Sequence, residues 1–294
     1  MTRLSGGARI AVFCAVAIAT GPAIASSPEP FRPRGRYNNS VHRFFPDLDS
    51  RFNAVRYGRW RAFEIAWKVG INPALDSEFS SFLLNLLSDP PRFPPEAKLV
   101  APRFAREAVS VFHALNWGGV FEQQVSDILA SADAIPDVTA GRLERALEAY
   151  RREPWALSEA KEEVPPPEAL RLAPMSARIL LSGTRLFVVA AEGLAAADFG
   201  QQRWKVRDTI AEFDSSLSRE TTQDQATYRV SAPTVSQLYP SITATLDRLS
   251  RFRAEVYGAL VPGGATPEAR KERNRRLREV ATRYGISTRG IGVE

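Results

Sequence analysis

The residues able to do chemistry are few, and their spacing excludes more than it suggests. Among 294 residues there are two histidines, one cysteine and two methionines. His42 and His113 are far apart, and neither belongs to an HExxH, ExxH or HxH group of the kind that binds zinc. One cysteine cannot make a disulfide framework or a thiolate cluster. So few soft ligands leave little for copper or haem, so neither a metal nor a cofactor is expected. Asp47 and Asp49 lack the glycine and distal glutamate of a calcium loop. No phosphate-cradling GxxxxGK[ST], dinucleotide GxGxxG or nucleophile-elbow GxSxG occurs.

Carboxylate chemistry is harder to dismiss, because two acids placed by a fold leave no signature in the chain. Asp76, Ser77 and Glu78 open an expected helix, where they suit capping and the first turn as well as a cleft. Glu78 and Glu122 are the two acids a glycan hydrolase or lyase of this sequence would nominate. No catalytic residue is assigned.

The stretch from His113 to Gln124, HALNWGGVFEQQ, is the candidate ligand or partner surface. His113 and Trp117 are i,i+4 neighbours beside an apolar stripe. Gly118 and Gly119 are expected to bend or end the helix, and Glu122, Gln123 and Gln124 follow on the next turn. Imidazole, indole, carboxylate and amide groups near a helix break suit a polar ligand or a partner helix. The competing reading is an elbow between helices, with Trp117 in the core and His113 bonded to a backbone carbonyl. Trp60, Trp67, Trp155 and Trp204 are expected at core or boundary positions.

Charge gives a third candidate. The formal net charge is +6, and 34 of the 39 basic residues are arginine. Residues 31–61 carry eight arginines against Asp47 and Asp49, and residues 268–284 carry seven basic residues against three glutamates. Arg270, Arg273, Arg275 and Arg276 are therefore the candidate contact for an anionic surface, lipid headgroups or an acidic polymer. The alternative is a set of solvated helix faces paired with an acidic body. No nucleic-acid-binding motif is present, and no nucleic-acid partner is expected.

The periodicity is helical nearly throughout, and the fold class expected is all-α: a multi-helix, bundle-like array. Residues 1–25 read as a signal peptide. Arg3 and Arg9 precede the apolar run IAVFCAVAIA, and Ala23-Ile24-Ala25 suits cleavage before Ser26. Phe13 before Cys14 does not fit a lipoprotein signal. No apolar run is long enough to span a bilayer, so no transmembrane segment is expected after cleavage. Residues 26–46 read as an extended leader pinned by Phe44 and Phe45. An N-terminal helical half follows over 47–152, then a Pro/Glu-rich connection over 153–174 and a C-terminal half over 175–294.

In the first half, helices are expected from Asp47 or Asp49 to Val69, from Asp76 or Ser77 to Leu87, from Pro102 to the Gly118-Gly119 break, beyond that break, and from Asp137 or Thr139. In the second half, 177–191 reads as a helix, with a short hairpin at Ser182–Thr184 as the alternative. Helices at 201–217, from Pro240 to Leu260 and from Thr266 to a Gly285 stop complete the array. In the last, Leu277, Val280, Ala281 and Tyr284 should face inward, with its arginines in solvent.

The function expected is that of an exported, non-enzymatic helical protein, periplasmic or secreted, that binds a protein partner or small ligand in a bacterial-type cell envelope. A carboxylate-dependent envelope glycan hydrolase or lyase and a peripheral binder of anionic membranes are the alternatives.

Overall fold

The computed structural model describes residues 40–292 except 71–72, 132–134, 161–173, 196–197 and 219–232. The signal peptide expected over 1–25 and the leader up to residue 39 lie outside the described residues. The fold is all-α, with twelve helices among the described residues: α1 (Ser40–Phe44), α2 (Pro46–Val69), α3 (Pro73–Ser88), α4 (Ala97–Val100), α5 (Pro102–Glu107), α6 (Val109–Leu129), α7 (Pro136–Arg152), α8 (Pro174–Leu194), α9 (Phe199–Ser218), α10 (Pro233–Leu238), α11 (Pro240–Ala259) and α12 (Pro267–Arg283). Eight of the twelve begin on a proline. Proline at the first helical position loses only an N–H that had no intrahelical partner, and its fixed φ suits the helix. The prolines that break the pattern between helices therefore also start the next one.

The described residues form one compact unit, and one apolar core runs through both halves of the chain. α2 lies at its centre, against α8 along its length and against α3, α4 and α5. Glycines allow the α2–α8 approach. A Cβ on Gly58 would stand 2.7 Å from Ile179 Cγ1, and one on Gly183 would stand 2.4 Å from Val55 Cγ1. Phe52 and Phe187 stack across the same seam, ring centroids 4.1 Å apart. α6 packs on α7, α8 and α11, and α11 carries α12 on its outer side.

Carboxylates from long helices arrest the starts of three short ones. Glu64 of α2, fully buried, accepts from the backbone N–H of Arg103 (3.1 Å) and Phe104 (2.9 Å) at the start of α5. Glu192 of α8 accepts from Thr234 N (3.0 Å) and Val235 N (2.9 Å) at the start of α10. Asp127 of α6 accepts from Val41 N at 2.9 Å in α1. Each acid satisfies N–H groups that a helix leaves without internal partners.

Several expectations are corrected. Residues 40–44 and 46 are helical, so the leader is not extended to its end. Phe45 is buried in the core and Phe44 meets Phe199 edge to face, centroids 5.8 Å apart, so both do anchor the entry. Gly118 and Gly119 do not interrupt α6. The break falls at Ala108, where φ −130° and ψ 46° leave the helical region. There the C-terminal segment pairs with the chain. Ala108 bridges Ile291, Val109 N donates to Gly290 O at 3.2 Å, and Gly292 N donates to Glu107 O at 2.8 Å. α8 is helical across Ser182–Thr184, so the hairpin alternative is not what forms. The described part of the Pro/Glu-rich connection packs on the body rather than hanging free. Leu157 is buried, its N–H donates to Tyr150 Oη at 3.0 Å, and Ser158 N donates to Tyr284 O at 2.9 Å.

Candidate arginine-lined cleft

α2 and α6 each turn one face toward α11. On α2 the positions are Arg56, Arg59, Trp60 and Phe63; on α6 they are Leu115, Asn116, Gly119, Val120, Glu122 and Gln123. These are helical i, i+3 and i+4 spacings. Together with Arg253 of α11 and Pro94-Pro95 from the α3–α4 loop, they line a small cleft of about 50 Å³. That space exceeds what one water needs.

Its floor is ionic. Arg59 Nη1 lies 3.4 Å from Glu122 Oε2, and Arg253 Nη1 donates to Glu122 Oε1. Arg59, Glu122 and Arg253 are 5%, 3% and 4% exposed, so the triad is removed from water. Arg59 Nη2 donates to Thr184 Oγ1 at 3.1 Å, and that hydroxyl donates to Leu180 O at 2.9 Å, which ties α8 to the group. The Arg59 Nε is buried with no hydrogen-bond partner among the described residues. The Phe187 ring lies under two guanidiniums, Arg59 at 5.3 Å and Arg56 at 5.4 Å. Burial, reinforced by the nearby Arg253 cation, draws Arg59 down to about 9. It is still a cation at neutral pH. Three guanidiniums and one carboxylate give the lining a formal excess of positive charge.

The chemistry open to this arrangement is recognition of an anion. Both oxygens of Glu122 already accept from guanidiniums, so neither is placed to carry a proton to a leaving group. Glu78, the other nominated acid, is exposed on α3 with Arg61 Nη2 at 3.6 Å. The side chain of Asp76 lies outside the described set. No group of three or more His, Cys, Asp or Glu able to hold a metal occurs among the described residues.

The five residues of the expected surface on α6 are divided between two faces. Glu122 and Gln123 line the cleft. His113 and Trp117 turn toward α7 and the segment after it. His113 is buried with its ring stacked on Trp155, centroids 4.6 Å apart, and burial beside Lys98 lowers its pKa. Trp117 is buried and donates from Nε1 to Tyr150 O at 3.0 Å. Gln124 is half-buried and does not line the cleft. No protein-family model, curated protein or solved structure matches the chain.

The basic C-terminal helix is less open to anions than its composition suggests. Arg273 is fully buried, against the expectation that it stands in solvent, and donates from Nη1 to Pro262 O (2.6 Å) and Gly264 O (2.8 Å). It occupies the inward register of Leu277 and Val280, where it ties α12 to the preceding loop. Arg275 and Arg276 are exposed, but Glu272 takes hydrogen bonds from both at 2.8 Å, which lowers its own pKa to about 2. Arg275 also donates to Glu279. Arg270 is half-buried. Leu277, Val280, Ala281 and Tyr284 are buried as expected, and Tyr284 Oη donates to Glu255 at 2.7 Å.

A wider groove of about 620 Å³ runs between the start of α2 and α9, lined in part by Phe44, Arg51, Arg203 and Trp204. Arg51 is bonded there through both Nε and Nη2 to Asp214, and Arg203 and Trp204 are exposed. No helix among the described residues is long and apolar enough to cross a membrane.

Arg59 and Arg253 were missed by sequence reasoning, although a signal exists. Both sit in register with apolar stripes, Arg59 after Phe52 and Val55, Arg253 after Leu246 and Leu249. A charge in a core register marks a buried pair or a site.

Proposed function

We propose that the protein is an exported, non-enzymatic binding protein of a bacterial-type cell envelope, and that its ligand presents a compact anionic group to Arg56, Arg59 and Arg253. The observation that carries this reading is the Arg59–Glu122–Arg253 triad, buried and cationic in sum, beside an open cleft. Within the triad, two guanidiniums sharing one carboxylate leave a formal positive charge, and low surrounding polarity strengthens its attraction for an anion. Guanidinium forks match carboxylate and phosphate oxygens, the shared chemistry of the ligand head. Export rests on the N-terminal sequence pattern alone.

Thermal unfolding in rising acetate, phosphate or chloride tests the anion reading. Acetate or phosphate should raise the midpoint beyond chloride at equal ionic strength, and Arg56→Gln should weaken the rise. Equal responses to all three anions would count against a specific site. Turnover of purified cell-wall glycan by the protein would sink the non-enzymatic reading. Fractionation with N-terminal sequencing checks export, the expected first residue being Ser26.

A further inference from the structure

α9 is held to the body by Val206, Phe213 and Leu217, all buried. Near its start two large aromatic side chains are left outside that face, Phe199 at 41% and Trp204 at 59% exposure. Of the five tryptophans, Trp60, Trp67 and Trp117 are buried and Trp155 is half-buried; Trp204 alone is exposed. Large rings grouped in water, unlike single exposed apolar residues, mark an interaction surface. Arg203 and Arg207 follow Phe199 at i+4 and i+8, along one side of the helix, and both are exposed. Arg43 of α1 is exposed as well. Arg203 lies over the Phe199 ring at 5.9 Å, and Arg43 lies over the Phe44 ring at 5.3 Å. Unlike Arg51, which Asp214 holds, and Arg275 and Arg276, which Glu272 holds, these three arginines make no ion pair among the described residues. Asp47 is the one acid lining the wide groove, against Arg51, Arg203 and Arg207.

We propose that the start of α9 and the adjoining α1 dock on an anionic lipid bilayer, with Trp204 and Phe199 in the headgroup layer and Arg43, Arg203 and Arg207 on lipid phosphates. The proposal goes beyond the anion reading, because this groove shares no lining residue with the arginine-lined cleft. Unpaired cations complement a negative surface, and interleaved rings need a partner that offers apolar groups beside the anions. The headgroup layer offers both, and tryptophan sits there with its ring in the apolar part and its N–H in the wet part. The groove, about 620 Å³, falls in the range of about 300–1,000 Å³ that holds small ligands, so a lipid headgroup has room beside the arginines.

Sedimentation of the full chain with vesicles of phosphatidylglycerol or of phosphatidylcholine tests the proposal. The protein should sediment with the first and not the second, and salt should release it. Arg203→Gln and Arg207→Gln should each weaken binding about fivefold, equivalent to about 1 kcal/mol per basic residue near such a surface. Trp204→Ala should weaken it about tenfold. Tryptophan emission should shift to the blue on phosphatidylglycerol vesicles, and Trp204→Phe should still bind but lose the shift. Because these side chains are exposed, thermal midpoints should match the parent. Equal binding to both lipids overturns the proposal. So does binding that is the same in every variant, as the apolar N-terminal run alone would produce. Binding to poly-glutamate without binding to vesicles would also overturn it and assign the surface to an acidic protein partner. Each of these failures leaves the anion reading of the cleft standing.

Discussion

Replacing Glu122 by leucine is the sharpest test of the buried triad. The substitution leaves Arg59 and Arg253, 5% and 4% exposed, as neighbouring cations without their shared carboxylate. Breaking a buried pair by removing one partner typically costs about 3–5 kcal/mol, because the remaining charge stays desolvated. Here two cations are stranded, and burial first, then the neighbouring Arg253 cation, already lowers the Arg59 pKa to about 9. The upper part of that range, about 4–5 kcal/mol, is therefore expected. The companion variant Arg59→Met, Glu122→Leu, Arg253→Met removes all three charges at similar volume. It should lie within about 1 kcal/mol of the parent or above it, since apolar replacement of a buried ionic group is often neutral or stabilising. Urea unfolding followed by tryptophan fluorescence gives both values. A loss below about 1 kcal/mol in Glu122→Leu would show that its two partners are not held as desolvated cations. A triple variant as unstable as the single one would show that shape, not charge, governs the site.

Further outcomes follow from neighbouring features. Asp127 is raised from 3.8 to about 7, first by burial. A carboxyl whose folded pKa is raised contributes stability at pH below 4 and loses it as pH climbs through 7, by roughly 4 kcal/mol at most; Asp127→Asn should flatten urea midpoints measured from pH 4.5 to 8. Gly118→Ala should destabilise because its methyl meets Leu249, whereas Gly119→Ala should stabilise by about 0.5–1 kcal/mol; paired thermal melts decide this. Leu277 is fully buried, so Leu277→Ala should cost about 2–5 kcal/mol and raise hydrogen exchange over residues 268–284. Arg275→Ala, at an exposed pair, should change stability by under about 1 kcal/mol.

The helices most legible in the sequence are those with a complete stripe and a marked start. α11 runs from Pro240 with Ile242, Leu246 and Leu249 in register, and α12 is capped by Thr266, whose side chain accepts from Ala269 N at 3.2 Å. The Ala108 break was not legible, because alanine favours helix and the break depends on a segment near residue 291. The glycine pair misled for the opposite reason: one accommodates a neighbouring helix, and the other borders a cleft. Glu122 was legible as a member of a mixed polar group, but its partners on α2 and α11 were not. Arg59 and Arg253 meet it only through tertiary packing. Their register against apolar neighbours was the available sign, and Arg273 carried the same sign on α12.

The acids that arrest α1, α5 and α10 have a consequence for the order of assembly. Helices of five or six residues do not persist alone, because the first turn costs more than so few bonds return. These three segments therefore become helical only after α2, α6 or α8 has brought Glu64, Asp127 or Glu192 to them. The long helices are a frame on which the short ones condense late, and the same dependence runs backward when the protein opens. Loss of Glu64 should release α5, and loss of Glu192 should release α10, each as a separate cooperative unit while the frame persists. The chain thus has breathing points set by single side chains that lie in other helices.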